Sequence, residues 1–95
     1  MMYLKNIGFN DETINILEES LPNRALKALE DDKEKVLKNI NYLKELGINN
    51  YTEAFTSFYN MFLLDNDVFS DIFSKYDRED LIIKLEKNVA IMEYL

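Results

Sequence analysis

The sequence contains no cysteine, no histidine and no tryptophan, and only two glycines and one proline in 95 residues. Without cysteine there is no disulfide framework, no thiolate metal site and no thiol nucleophile, so the chain suits a reducing cytosol. Without histidine, the commonest general base and the commonest neutral metal ligand are gone. Two glycines as far apart as Gly8 and Gly47 cannot form a phosphate-cradling loop, and Ser20, Ser57, Ser70 and Ser74 lie outside any Gly-x-Ser-x-Gly context. The sequence is therefore read as that of a non-enzyme with no catalytic residues and no cofactor.

Oxygen ligands crowd together only at Asp65, Asn66, Asp67 and Asp71. That run lacks the glycine and the terminal glutamate of a calcium-binding loop, so no metal site is expected. Asp65 or Asn66 is read instead as a helix cap, with Asp67 facing the positive end of the helix. Long apolar runs are missing too. The N-terminus, Met1 to Asn6, carries no signal-peptide stretch, and no window approaches the roughly 18 apolar residues of a membrane span. The expectation is a cytoplasmic protein without membrane contact.

What is present is 47% hydrophobic residues, enough to close one core over residues 1–95. The net charge is −7, which repels phosphate backbones and attracts basic surfaces. It is uneven: Tyr51 to Asp80 holds seven acids against Lys75 and Arg78.

Helix starts are marked by side-chain acceptors three residues before a polar partner, at Asn10/Thr13, Asp31/Glu34, Asn50/Glu53 and Asp77/Asp80. Gly8 and Gly47 each follow a helical pattern and suit a left-handed closing residue, and Pro22 suits a first turn. These marks divide the chain into helices near 2–7, 11–20, 22–30, 32–46, 51–63, 67–75 and 78–94. The fold class is all-α: a compact bundle or short stack of helical hairpins, with about six to seven short helices. Val36, Leu37, Ile40, Leu43 and Leu46 give one segment a clean apolar face. Phe55, Phe58, Tyr59 and Phe62 form an aromatic stripe that Phe69, Phe73 and Tyr76 continue on the next helix, so these two helices should pack together. The stretch from Ile82 to Leu95 is apolar nearly all round, fitting either the central helix or the seam of a homodimer.

Tyr3-Leu-Lys-Asn-Ile-Gly-Phe-Asn10 matches Tyr42-Leu-Lys-Glu-Leu-Gly-Ile-Asn49 at five of eight positions, and Lys38-Asn-Ile is echoed by Lys87-Asn-Val. Stacked helical hairpins would produce such an echo, as would chance in a vocabulary rich in Lys, Asn, Ile and Leu. The run Pro22 to Ile48, with its proline, spaced leucines and a helix ending in Leu46-Gly47, resembles one helical repeat of the mitochondrial transcription termination factor family. The resemblance implies a right-handed solenoid whose concave face holds nucleic acid. Here that face would need a stripe containing Arg24, Lys27, Lys35 and Lys38. Asn60 stands about where the next repeat's proline would fall, and the chain is acidic where the family's concave face is basic.

The reading that composition favours is a protein-binding domain. Asp65, Asp67, Asp71, Asp77, Glu79 and Asp80 would form one exposed acidic face for a basic partner, in the sharpest version as a nucleic-acid mimic inhibiting a host or phage-defence protein. Tyr51, Tyr59 and Tyr76, whose hydroxyls prefer a wet edge, are candidates for an aromatic contact patch. The alternatives are the nucleic-acid binder of the resemblance and a structural or dimerisation module.

Overall fold

A computed structural model describes all 95 residues. Six α-helices are present, α1 (Asp11–Ser20), α2 (Asn23–Asp31), α3 (Lys33–Leu46), α4 (Tyr51–Ser57), α5 (Asn66–Ser74) and α6 (Arg78–Lys87), with 3-10 segments at Met2–Ile7 before α1, Tyr59–Leu63 between α4 and α5, and Val89–Tyr94 after α6. There is no strand, and the all-α class stands. No helix is long and apolar enough to cross a membrane.

Both glycines close helices as the sequence requires. Gly8 and Gly47 have φ of 105° and 104°, which an L-residue with a Cβ adopts only under strain. The following residue turns back each time: Phe9 N–H donates to the Leu4 carbonyl at 3.1 Å and Ile48 N–H to the Leu43 carbonyl at 3.0 Å. This is a Schellman closure, and it gives the echoed octapeptides one shared task. Their tyrosines also act alike. Tyr3 donates to the Leu29 carbonyl at 2.8 Å and Tyr42 to that of Ser70 at 3.4 Å. Burial of Tyr3, reinforced by the charge of Glu30, raises its phenol above the ordinary range.

Two of the four expected caps form. Asn10 accepts from Thr13 N–H at 2.8 Å and Asp77 from Asp80 N–H at 3.1 Å. Asp31 and Asn50 do not cap. α2 and α3 are joined through Asp32 alone, so Asp31 still belongs to α2 and its carboxylate takes Lys27 at 2.8 Å. Asn50 turns inward and donates to the Leu85 carbonyl at 2.8 Å. Asp65 occupies the start of α5 without a capping bond, its carboxylate lying 3.0 Å from Lys35, and Asn66 donates instead to Asn39 at 3.0 Å. The contrast can be measured. Asn10→Ala should cost about 1 kcal/mol in denaturant unfolding, whereas Asp31→Ala, which breaks only an exposed, solvent-screened ion pair, should cost clearly less.

The core is an aromatic chain running through the molecule. Phe9, Phe55, Phe62, Phe69 and Phe73 follow one another at centroid distances of 5.5, 5.2, 5.0 and 4.8 Å, inside the range where edge and tilted ring contacts are favourable. Val36, Ile40 and Leu43 bring α3 against it fully buried. α3 is the hub, packing on α2, α4, α5 and the first two 3-10 segments.

That arrangement corrects two expectations. The aromatic segment 51–63 is not one helix: it breaks at Phe58, and Tyr59–Leu63 is 3-10. Phe55, Phe62, Phe69 and Phe73 do stack, but through the 3-10 segment, with Phe58 and Tyr59 only half buried. Nor is the C-terminal stretch a central helix. It breaks at Asn88, Leu81, Leu85 and Met92 are buried, and Ile83 and Tyr94 remain 53% and 80% exposed.

Candidate functional site

The acidic stretch is carried by the starts of two short helices. Asp65 precedes α5, Asp67 and Asp71 lie one turn apart on it, and Asp77, Glu79 and Asp80 open α6. All six side chains are exposed. Helix geometry accounts for much of their placement, since the unpaired N–H groups and the dipole at a helix start favour negative charge.

Internal demand for the six differs. Asp65 is held by Lys35 at 3.0 Å and Asp80 by Lys84 at 2.9 Å. Asp77 spends one oxygen on the cap of α6. Asp67, Asp71 and Glu79 make no ion pair and no side-chain hydrogen bond. The two bases of this stretch do not neutralise them. Lys75 is exposed without a partner, and the Arg78 guanidinium is turned onto the carboxyl end of α3, donating from Nε to the Leu46 carbonyl at 2.8 Å. Asp65, Asp67 and Asp71 form no group that could hold a metal ion.

The three tyrosines lie in three different settings. Tyr51 is half buried, edge-on to Phe9 at 6.1 Å, and its hydroxyl donates to the Ile7 carbonyl at 2.9 Å. That polar end is used inside the fold. Tyr59 lines a groove beside α2. Tyr76 is exposed in the turn before α6. Of the four basic residues, Lys27 is engaged by Asp31 and Lys35 by Asp65, and each ammonium is raised above its usual range by that hydrogen bond and the acid's charge. Arg24 and Lys38 are exposed without an acid partner.

The most consequential polar residue was not singled out by the sequence reading. Asn39 is the sole fully buried polar side chain. Its amide donates to the carbonyls of Phe62 at 2.9 Å and Leu64 at 2.8 Å, and its oxygen accepts from Asn66. Asn39 therefore fixes the segment that delivers Asp65 and α5. A signal existed: Asn39 falls on the apolar face marked by Val36, Ile40 and Leu43, where a polar residue needs a partner.

No family model, no curated protein and no solved structure matches the chain. The functional reading accordingly rests on geometry and charge.

Proposed function

We propose that this is a non-catalytic protein-binding domain whose α5–α6 acids meet a basic surface on a partner. The observation that carries the reading is the set Asp67, Asp71 and Glu79: exposed carboxylates with no cation and no hydrogen bond inside the fold. Structural acids are explained by what they hold, as Asp65, Asp77 and Asp80 are. Asp71 holds nothing, Asp67 and Glu79 only complement the dipole of their helix starts, and in a chain of net charge −7 the three add to a field that steers basic partners. Against catalysis stands the absence of any buried carboxylate or amine side chain, since pKa-tuned groups in clefts are the usual mark of acid-base chemistry. A nucleic-acid mimic is the sharpest form of the proposal, because a partner that handles nucleic acid already presents a basic groove.

The test is a combined reversal, Asp67→Lys, Asp71→Lys and Glu79→Lys, compared with the parent protein in affinity capture from a lysate at stepped salt, with and without nuclease. The expected result is a basic protein retained by the parent, released by salt, indifferent to nuclease and lost with the reversed variant. Its association should slow and lose salt dependence, while stability changes by about 1 kcal/mol per helix start at most. Retention by both proteins alike would overturn the reading, and loss on nuclease treatment would transfer the function to nucleic-acid binding.

A further inference from the structure

A groove of about 320 Å³ runs between α2 and the Tyr59–Leu63 segment. Its floor is apolar, made by Pro22, Ala25, Ala28 and Leu63. The shape follows from local sequence. Ala25 and Ala28 lie one turn apart on α2, and their methyl groups leave that face of the helix low. The break at Phe58 then sets Tyr59 and Asn60 along the other wall, where a continued helix would have carried them elsewhere.

The polar groups at the edge are Arg24, Tyr59 and Asn60. None of these three side chains makes a hydrogen bond or an ion pair within the fold. The other half-buried tyrosines, Tyr3, Tyr42 and Tyr51, all donate to carbonyls, and the second arginine, Arg78, closes α3. α2 is also the one α-helix whose first turn carries no acid. In a strongly negative protein, the mouth of this groove is a place where positive charge goes unanswered.

We propose that the groove binds the C-terminal end of a partner polypeptide, with the last side chain apolar. That side chain would lie on the Pro22, Ala25, Ala28 and Leu63 floor. Its carboxylate would meet the Arg24 guanidinium, whose planar fork matches two carboxylate oxygens. The Asn60 amide and Tyr59 hydroxyl would take the neighbouring peptide group. The charge complement calls for an anion, the floor calls for an apolar group beside it, and a chain terminus supplies both within one residue. The volume lies at the lower end of the range for small-molecule sites, which suits a single side chain with its carboxylate. This site shares no residue with the α5–α6 acids and does not depend on the reading given to them.

The test is an amide-resolved NMR titration of the full chain with an acetylated pentapeptide ending in phenylalanine, as the free acid and as the C-terminal amide. The free acid should shift Arg24, Ala25, Ala28, Tyr59, Asn60 and Leu63. Binding should weaken by about tenfold or more both for the amidated peptide and for Arg24→Gln, the change expected from losing one charge-assisted pair. Arg24 is exposed, so the variant should keep its melting temperature, which separates lost binding from lost folding. Equal binding of acid and amide, no effect of Arg24→Gln, or no shift at these residues would overturn the proposal. Binding of 3-phenylpropionate as tight as that of the peptide would overturn the polypeptide assignment in favour of a small carboxylate.

Discussion

Gly8→Ala should destabilise the protein by about 3 kcal/mol, and Gly47→Ala by only about 1–2 kcal/mol, although the two glycines share a φ and a closing motif. The common share is the cost of holding an L-residue at positive φ. The difference lies in what a new Cβ meets. At Gly47 the nearest atom is the Ile82 Cδ1 at 3.1 Å, the end of a side chain that can rotate away. At Gly8 the Cβ would overlap the Tyr51 hydroxyl, which cannot retreat without breaking its bond to the Ile7 carbonyl and disturbing the ring edge against Phe9. Losing that bond adds about 1 kcal/mol to the backbone cost. Urea unfolding of both variants checks the ranking, and a double-mutant cycle checks the cause. In a Tyr51→Phe background the hydroxyl is absent, so Gly8→Ala should fall back to the cost seen at Gly47. Equal costs for Gly8→Ala and Gly47→Ala in the parent protein would show that the Tyr51 contact yields freely.

The closing motifs illustrate what the sequence made legible. A glycine after a helical pattern and an acceptor three residues before a donor are local devices, and those at Gly8, Gly47, Asn10 and Asp77 appear as read. The helix breaks at Phe58 and Asn88 were not legible, because apolar stripes run through both without glycine or proline. At Asn88 the cause is tertiary. In a continuing α-helix the Leu85 carbonyl would accept from Val89 N–H. Here Asn50, distant in sequence, takes it at 2.8 Å, and the chain leaves the α-helix at Asn88. Asn39 holds the Phe62 and Leu64 carbonyls at the end of the 3-10 segment and so shapes the turn into α5. The Asn50 bond also explains why cap spacing misled there, since its side chain serves another helix. At the candidate site, exposure of the acids followed from composition. Which of them are free did not, because Lys35 and Arg78 find partners on other elements.

Asn39→Leu should cost about 3–5 kcal/mol, the largest effect expected of any polar substitution in this chain. Leucine keeps the branching of asparagine but carries bulkier methyl groups, so some overpacking against Val36, Ile40 and Leu43 adds to a loss that is mainly one of satisfaction. Two carbonyls, Phe62 and Leu64, lose their donor, and the Asn66 amide loses its acceptor. Each buried group left unpaired costs about 1–3 kcal/mol, whereas a bond lost at the part-buried end costs less. Asn66→Ala, which removes only one bond to Asn39, should therefore cost about 1 kcal/mol. Hydrogen exchange would locate the damage: protection should fall in Tyr59–Leu63 and at the start of α5 before it falls in α1. Because Asp65, Asp67 and Asp71 ride on that segment, Asn39→Leu should also weaken partner binding, but through loosened presentation and together with a drop in stability. Charge reversal at Asp67, Asp71 and Glu79 should weaken binding while costing no more than about 1 kcal/mol of stability per helix start. Should Asn39→Leu leave both stability and exchange at the parent values, the Asn39 bonds would not be what holds the turn into α5. The acids would then owe their position to the aromatic contacts of Phe62 and Phe69 alone.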